Sequence, residues 1–229
     1  MINNVNVKLF FEKYNNDIFL SSFKEMSGGS NGCLVESQIK AYNFDIIKET
    51  LPCKNKLRSA DSLYIKSNSN KDFIFFIEFK TGFEKIINSK NFDERKWKCP
   101  NSEDKQCVDG ITYFKKSQKL ENKELMLSIH LKLIESFLIF EKYVLPNCKS
   151  NERCASLNYI AVIDGVNVSP LDAIESIMDD MGGCNSNENE IESFRNSLKK
   201  YIIKDSEGNN LLFDNIDVVL KEDFDKMFK

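Results

Sequence analysis

The sequence predicts an α/β fold in which helices flank a central mixed β-sheet, and three observations indicate it. Apolar stretches with the period of strands alternate along the chain with apolar stretches with the period of helices. The strand-like run at residues 73–80 is largely apolar on both faces, as expected for a central strand. The chain has 229 residues, of which 41% are hydrophobic and 29% are charged, so it can bury a sizeable core in about one domain.

Each element follows from local patterns of apolar and turn-forming residues. The helical spacing of apolar residues predicts helices over residues 5–24, 34–51, 122–143, 169–181 and 190–203. Runs of β-branched and aromatic residues predict strands over residues 61–65, 73–80 and 157–164. Residues 211–220 fit either a last strand or an irregular acidic tail. The glycine-rich residues 27–32 are expected to be a linker, because they lack the lysine and the preceding strand of a phosphate-binding loop.

These elements divide the chain into three segments of one domain. We expect residues 1–32 to form an N-terminal helix and a glycine-rich linker. Residues 33–165 form the expected core, with an insertion at about 83–122. Residues 166–229 form the expected acidic helical C-terminal extension of the same domain.

Charge is unevenly distributed along the chain. Residues 1–150 carry a net charge of +5 and residues 151–229 a net charge of −8. The first part can approach a polyanion, whereas the acidic part would resist one and could instead pair with a protein partner. Within the insertion, Lys96, Trp97 and Lys98 combine cations with an aromatic ring, a combination that can hold a nucleic-acid backbone and stack on bases. A solvated surface insertion is the equally open alternative.

The sequence disfavours two classes of protein, membrane-spanning proteins and secreted proteins with a disulfide framework. The chain has no apolar run of the roughly 18 to 20 residues that a membrane span requires, and its N-terminus lacks a signal-peptide layout. We therefore expect a cytoplasmic protein without a membrane partner. Seven cysteines, an odd number, predict reduced thiols and not a disulfide framework. A structural zinc held by Cys99, Cys107, Cys148 and Cys154 is the alternative, although their spacings are wider than is usual.

One stretch carries a pattern suited to a divalent metal. Glu78 and Lys80 lie two residues apart on an otherwise apolar strand, so their side chains project to the same side. Asp61 opens the neighbouring strand and can reach the same point. Hard cations such as Mg²⁺ take oxygen ligands and keep several waters, so two or three carboxylates suffice. A buried ion pair is the alternative reading of the same three residues.

At these residues the sequence resembles the PD-(D/E)XK nuclease superfamily. The resemblance covers residues 33–165: Asp61 opens a strand, "IEFK" follows at residues 77–80, and then come a long helix and the strand "YIAVID". It implies a restriction-endonuclease-like core in which Asp61 and Glu78 ligate Mg²⁺ or Mn²⁺. It also implies that Lys80 positions the attacking water.

The resemblance implies further residues and a function. Glu36 on the preceding helix would be an auxiliary acid, and Lys132, or Ser128 one turn earlier, would take the polar position on the long helix. The expected function is metal-dependent hydrolysis of phosphodiester bonds, with DNA as the first expectation, in a defence or mobile-element role. A non-catalytic binding or scaffold protein with the same core, and an RNA nuclease, are the alternatives. A homodimer, which is common among enzymes that cut two strands, also stays open.

Overall fold

A computed structural model describes residues 2–29, 32–52, 57–83, 105–165, 186–208 and 210–228. The strands of these ranges are β1 (Ile2–Asn6), β2 (Leu20–Ser22), β3 (Gly28–Gly29), β4 (Gly32–Cys33), β5 (Lys40–Asn43), β6 (Ser62–Ser67), β7 (Lys71–Lys80), β8 (Lys149–Ile163) and β9 (Asn215–Leu220). The α-helices are α1 (Val7–Phe11), α2 (Phe23–Met26), α3 (Phe44–Thr50), α4 (Lys105–Ile139), α5 (Ser186–Lys199) and α6 (Lys221–Met227). Single turns of 3₁₀-helix cover Glu12–Tyr14 and Leu145–Asn147, and a π-helical turn covers Phe140–Val144.

A seven-stranded mixed sheet organises the described residues. Six strands follow the order β1-β8-β7-β6-β5-β2, and β9 also pairs with β8. Strand β7 pairs with one edge of β8, so β1 and β9 share the other edge. Strand β1 pairs with the first half of β8, and β9 pairs with the second half. Neighbouring strands among β5, β6 and β7 are antiparallel, whereas β7, β8 and β9 run parallel. The predicted α/β class, with a central mixed sheet flanked by helices, is therefore confirmed.

Strand β7 lies inside the sheet and is covered on both faces, as its sequence predicts. Successive side chains of a strand point to opposite faces. Ile74 and Phe76 accordingly pack in one hydrophobic cluster, and Ile77 and Phe79 pack in another. Helices α4 and α5 contribute to the first cluster, while α2 and α6 contribute to the second. Glu78 shares the face of Ile74 and Phe76, so the sheet places its carboxylate beneath α4.

Aromatic packing joins α4 to the sheet. Phe213 is fully buried, and its ring centroid lies 5.5 Å from that of Phe76 on β7 and 5.8 Å from that of Phe137 on α4. It also lies 5.6 Å from the ring of Tyr159 on β8. Edge-to-face contacts at these distances stabilise beyond the burial of area alone. This cluster sets the position of α4 over β7 and β8.

The N-terminal prediction of one helix over residues 5–24 is wrong. The structure has β1, α1, a 3₁₀ turn, β2 and α2 there instead. Ser22 begins a new helix, because its side chain accepts from the N–H of Glu25 while Glu25 accepts from the N–H of Ser22. The strand before it depends on a distant partner, since β2 pairs with β5 through Leu20 and Tyr42.

The second predicted helix, over residues 34–51, is correct only in its last part. Residues 35–39 have no regular structure and β5 follows them, so α3 begins only after Asn43. The Asn43 side chain accepts from the N–H of Ile46 at 3.1 Å and caps the helix there. The position of the polar cap therefore sets where α3 begins, although the apolar spacing before Asn43 also fits a helix.

Other boundaries shift without changing the element type. Helix α4 begins at Lys105 and not near residue 122, so the later part of the predicted insertion is helical. The undecided stretch 211–220 contains β9, which extends the sheet in parallel. The helix predicted over 169–181 lies outside the described residues. None of the helices within the described ranges is both long and apolar enough to cross a membrane.

Candidate metal site

Two carboxylates meet where β6 begins and β7 nears its end. Asp61 directly precedes β6, and the first residue of that strand, Ser62, pairs with Ile77. The Asp61 Oδ2 atom accepts a hydrogen bond of 2.7 Å from the N–H of Phe79, across the two strands. This bond holds the Asp61 carboxylate beside Glu78, which lies between Ile77 and Phe79 on β7. The sheet register therefore brings the two predicted acids together.

Lys132 of α4 joins the two acids. Its Nζ atom lies 2.9 Å from Oδ1 of Asp61 and 2.8 Å from Oε2 of Glu78. Those two oxygens therefore lie no more than the sum of the two distances, 5.7 Å, apart. Only 1% of the Glu78 side chain is exposed, against 19% for Asp61 and 21% for Lys132. The ion triad is thus open to solvent on the side of Asp61 and Lys132 and closed on the side of Glu78.

Burial dominates the electrostatics of the triad. Burial, with a further contribution from Asp61, raises the pKa of Glu78 to about 8, against the opposing effect of Lys132. Burial lowers the pKa of Lys132, but Glu78 and Asp61 outweigh it, so this pKa lies above its usual value. The second carboxylate oxygen of Glu78, Oε1, is buried without a hydrogen-bond partner among the described residues. An orphaned buried carboxylate oxygen is what a cation ligand would leave when the cation is absent.

Tyr159 on β8 is close enough to the acids to respond to their charge. It is fully buried, and its hydroxyl makes no hydrogen bond within the described part of the chain. Burial raises the pKa of its hydroxyl well above the usual value, and the charges of Glu78 and Asp61 raise it further. The hydroxyl therefore stays neutral at physiological pH.

Helix α4 also holds the segment that leads into β6. The hydroxyl of Ser136, fully buried, accepts from the N–H of Ala60 at 2.7 Å, and the Glu135 carboxylate accepts from the N–H of Arg58. These bonds fix the backbone just before Asp61. Sequence reasoning missed Ser136, although its place one turn after Lys132 was a signal that could have found it.

Ser128, the other candidate on α4, does not join the acids. Its hydroxyl donates to the carbonyl of Leu125 at 2.7 Å, a bond within its own helix. Between the two predicted candidates for the polar position on this helix, the structure brings Lys132 to the site.

Lys80 is the last residue of β7. It lies at the end of the sheet where the parallel strands β7, β8 and β9 all finish. It shares the face of Glu78 by strand alternation, and its charge lowers the pKa of Glu78, which places the two groups near each other. Ile163 of β8 lies beside it in register. The next residue, Asp164, accepts from the N–H groups of Gly82 at 2.7 Å and Phe83 at 2.8 Å, and so fixes the turn after β7. Ligands of open α/β sheets commonly bind outside such carboxyl ends.

Glu36, the predicted auxiliary acid, is not brought to this group by any described contact. It lies in the irregular segment before β5 and not on a helix, so the predicted helical position is wrong. Its carboxylate is exposed and pairs with Lys24 at 2.5 Å. The neighbouring Val35 packs in the cluster on the opposite face of the sheet from Glu78. Its burial there directs this segment away from the carboxylate pair.

Some predicted residues lie beyond what the structure describes. Lys96, Trp97, Lys98 and Cys99 fall outside the described residues, as does the side chain of Cys107. Cys148 and Cys154 are free thiols, and burial raises the pKa of Cys148 to about 11. Within the described ranges, no group of three or more His, Cys, Asp or Glu side chains could hold a metal ion. The candidate is therefore a pair of carboxylates, Asp61 and Glu78.

No family model, curated protein or solved structure matches this chain. Two acids that share one cation, one of them fully buried, form an arrangement that can exchange an ammonium for a divalent metal. It can also serve as a permanent ion pair.

Proposed function

We propose that this chain is a metal-dependent nuclease of the PD-(D/E)XK type, which hydrolyses phosphodiester bonds, with DNA as the favoured substrate. One observation carries the proposal: oxygens of Asp61 and Glu78 converge on a single cation and lie within 5.7 Å of each other. Carboxylates that could not approach so closely could not share a hard metal ion. The strongest support is thus the geometry of the two acids.

The donor set fits Mg²⁺ or Mn²⁺. Mg²⁺ binds oxygen at about 2.0 to 2.1 Å and is often held by one or two carboxylates, with water completing its shell. A shift of roughly 1 to 2 Å would bring both oxygens within that reach. Asp61 and Glu78 would hold the ion, and the orphaned Oε1 of Glu78 offers a further ligand atom. Softer metals that prefer sulfur or imidazole find no cluster of such ligands in the described residues.

The order of the elements supports a restriction-endonuclease-like core. Asp61 directly precedes β6, and "IEFK" lies at the end of β7. Helix α4 then crosses over to β8, which carries "YIAVID" and runs parallel to β7. This is the order that the sequence resemblance implies. It places the acids and Lys80 at one edge of the sheet.

Each side chain would then have a separate task. A bound divalent metal supplies polarisation of a phosphoryl oxygen and a lowered pKa for its water. The N–H of Phe79 fixes the Asp61 carboxylate, and the buried surroundings of Glu78 keep bulk water from its carboxylate. Lys80, at the open edge of the sheet, would orient the attacking water and offset negative charge on the phosphate.

The same contacts favour one alternative, a non-catalytic protein that keeps this core. Lys132 already satisfies one oxygen of each acid, as a structural ion pair would. Removing one member of such a buried group destabilises a fold, so the group can persist without catalysis. A scaffold of this kind would bind a partner without cutting it.

Cleavage assays separate these functions. Purified protein is incubated with plasmid, linear duplex DNA, single-stranded DNA and RNA, with Mg²⁺ or Mn²⁺ and then with EDTA. We expect metal-dependent cutting that Asp61→Asn and Lys80→Met each reduce by about 100-fold or more. Asp17→Asn and Lys66→Met, matched changes at exposed residues, should leave cutting intact. An absence of metal-dependent cutting on all four substrates would refute the nuclease, and the substrate that is cut decides between DNA and RNA.

A further inference from the structure

Lys132 lies between the two carboxylates that would hold the proposed metal. Asp61 has two carboxylate oxygens, and Oδ2 already accepts the N–H of Phe79 at 2.7 Å. The other, Oδ1, is the atom that Lys132 contacts at 2.9 Å. Each carboxylate oxygen has two lone-pair sites, and the backbone N–H already uses one of those on Oδ2. A metal that binds Asp61 through Oδ1 would share that atom with the Lys132 ammonium.

We propose that Lys132 is an internal competitor for the metal, whose ammonium holds the two acids together in the metal-free protein and leaves when the metal enters. This inference rests on the proposed function, because it assigns a role at the same site. The present Nζ atom lies 2.8 and 2.9 Å from the two oxygens. A metal at about 2.0 to 2.6 Å from both would lie within roughly 5 Å of that position. A single and a double positive charge repel strongly at such a distance in a partly buried site.

The structure lets the side chain move while its helix stays. Ile129 and Leu133 of α4 are fully buried in the first hydrophobic cluster, and Ser136 binds the backbone at Ala60. The Lys132 side chain, in contrast, is 21% exposed and ends a flexible four-carbon stem. Release of the ammonium into solvent therefore needs a rotamer change and no shift of α4.

Charge explains what the exchange would achieve. In the metal-free protein, the carboxylates of Asp61 and Glu78 contact the Lys132 ammonium, and Lys80 lies two residues from Glu78 on the same face of β7. The site is therefore close to neutral when all four groups are ionised. Exchange of the Lys132 ammonium for a divalent ion raises the net charge of the site by one unit, because two positive charges enter and one leaves. A phosphodiester brings negative charge that offsets this gain. The loaded site would thus attract the substrate more strongly than the empty one.

Titration of the metal with a matched pair of variants tests the exchange. Lys132→Met keeps the unbranched stem and removes the charge, and Lys123→Met makes the same change at an exposed position of α4. Thermal unfolding is followed at pH 8.5, first in EDTA and then at increasing Mg²⁺ concentrations. We expect Lys132→Met to unfold at a lower temperature in EDTA and to gain more from Mg²⁺. The Mg²⁺ concentration that half-saturates Lys132→Met should be lower than that of the original protein by a factor on the order of ten. The reason is that no ammonium then competes with Mg²⁺ for the two carboxylates. Lys123→Met should follow the original protein.

A second measurement uses the unaltered protein, in case Lys132→Met fails to fold. Lysines are labelled by reductive dimethylation with and without Mg²⁺, and the labelling of Lys132 is measured by mass spectrometry against that of Lys123. We expect Mg²⁺ to increase the labelling of Lys132 severalfold, because the ammonium leaves its two carboxylates.

The outcomes distinguish this inference from the function on which it rests. Equal Mg²⁺ half-saturation in both proteins, with unchanged labelling of Lys132, would overturn the exchange and leave the metal site in place. A lack of any Mg²⁺ or Mn²⁺ effect on stability, on labelling and on cleavage would overturn both.

Discussion

Replacing Glu78 with glutamine should change how the stability of the protein depends on pH. Burial and Asp61 raise the pKa of Glu78 from 4.5 to about 8 in the folded protein. Between these two values the unfolded chain has released the proton while the folded protein keeps it, so the free energy of unfolding falls as pH rises. The contribution of the protonated Glu78 to the free energy of unfolding is fully present below about pH 4.5 and is lost as pH passes through about 8. Glu78→Gln carries no such proton.

The size of the effect follows from the shift. Each pKa unit corresponds to about 1.4 kcal/mol, so the wild-type free energy of unfolding minus that of Glu78→Gln should fall by about 4 kcal/mol between pH 5 and pH 9. Subtraction removes the titrations of groups that do not interact with Glu78. The buried acid therefore costs the protein stability at alkaline pH, where the folded protein must ionise it.

Urea denaturation followed by circular dichroism measures this difference at each pH, with EDTA and a reductant present. Glu36→Gln, the same change at an exposed carboxylate, serves as the control and should not reproduce the slope. If the difference between wild type and Glu78→Gln varies by less than about 1 kcal/mol over this range, burial does not raise the pKa of Glu78.

Two further predictions concern the support of the site and the core. Ser136→Ala removes the acceptor of the buried N–H of Ala60 and should cost about 1 to 3 kcal/mol in urea denaturation, whereas Ser128→Ala should stay within about 0.5 kcal/mol. Equal costs for the two serines would contradict the role of Ser136. Phe213→Ala should cost about 3 to 5 kcal/mol, and Leu211→Ala, at a side chain that is largely exposed, should cost little. A loss below about 1 kcal/mol for Phe213→Ala would show that the aromatic cluster does not fix α4.

The sequence predicted the elements whose signals are local and strong. Strand β7 has apolar residues on both faces, as expected for a central strand that is covered on both sides. Lys132 and the long helix followed from helical spacing and from the resemblance. The meeting of Asp61 with Glu78 followed from strand geometry, and the contact of Phe79 with Asp61 gives it a physical basis.

The N-terminal region could not be predicted in the same way, because its strands depend on distant partners. Strand β1 pairs with residues near Cys154, and β2 pairs with β5. Apolar spacing alone favoured helices in both places, and propensity is a weak guide where pairing across the sheet decides. The expected position of Glu36 failed with its helix, since a side chain inherits its direction from the element that carries it.

The contacts of α4 also determine which changes of sequence the site tolerates. Lys132 and Ser136 lie one turn apart, and one binds the acids while the other holds the backbone that delivers Asp61. A residue inserted between them would rotate one relative to the other by about 100°, because a turn takes 3.6 residues. Length in this stretch is thus constrained more tightly than composition. A single replacement between Lys132 and Ser136 would weaken one contact. A one-residue insertion or deletion there would instead move Lys132 out of line with the backbone that Ser136 holds next to Asp61.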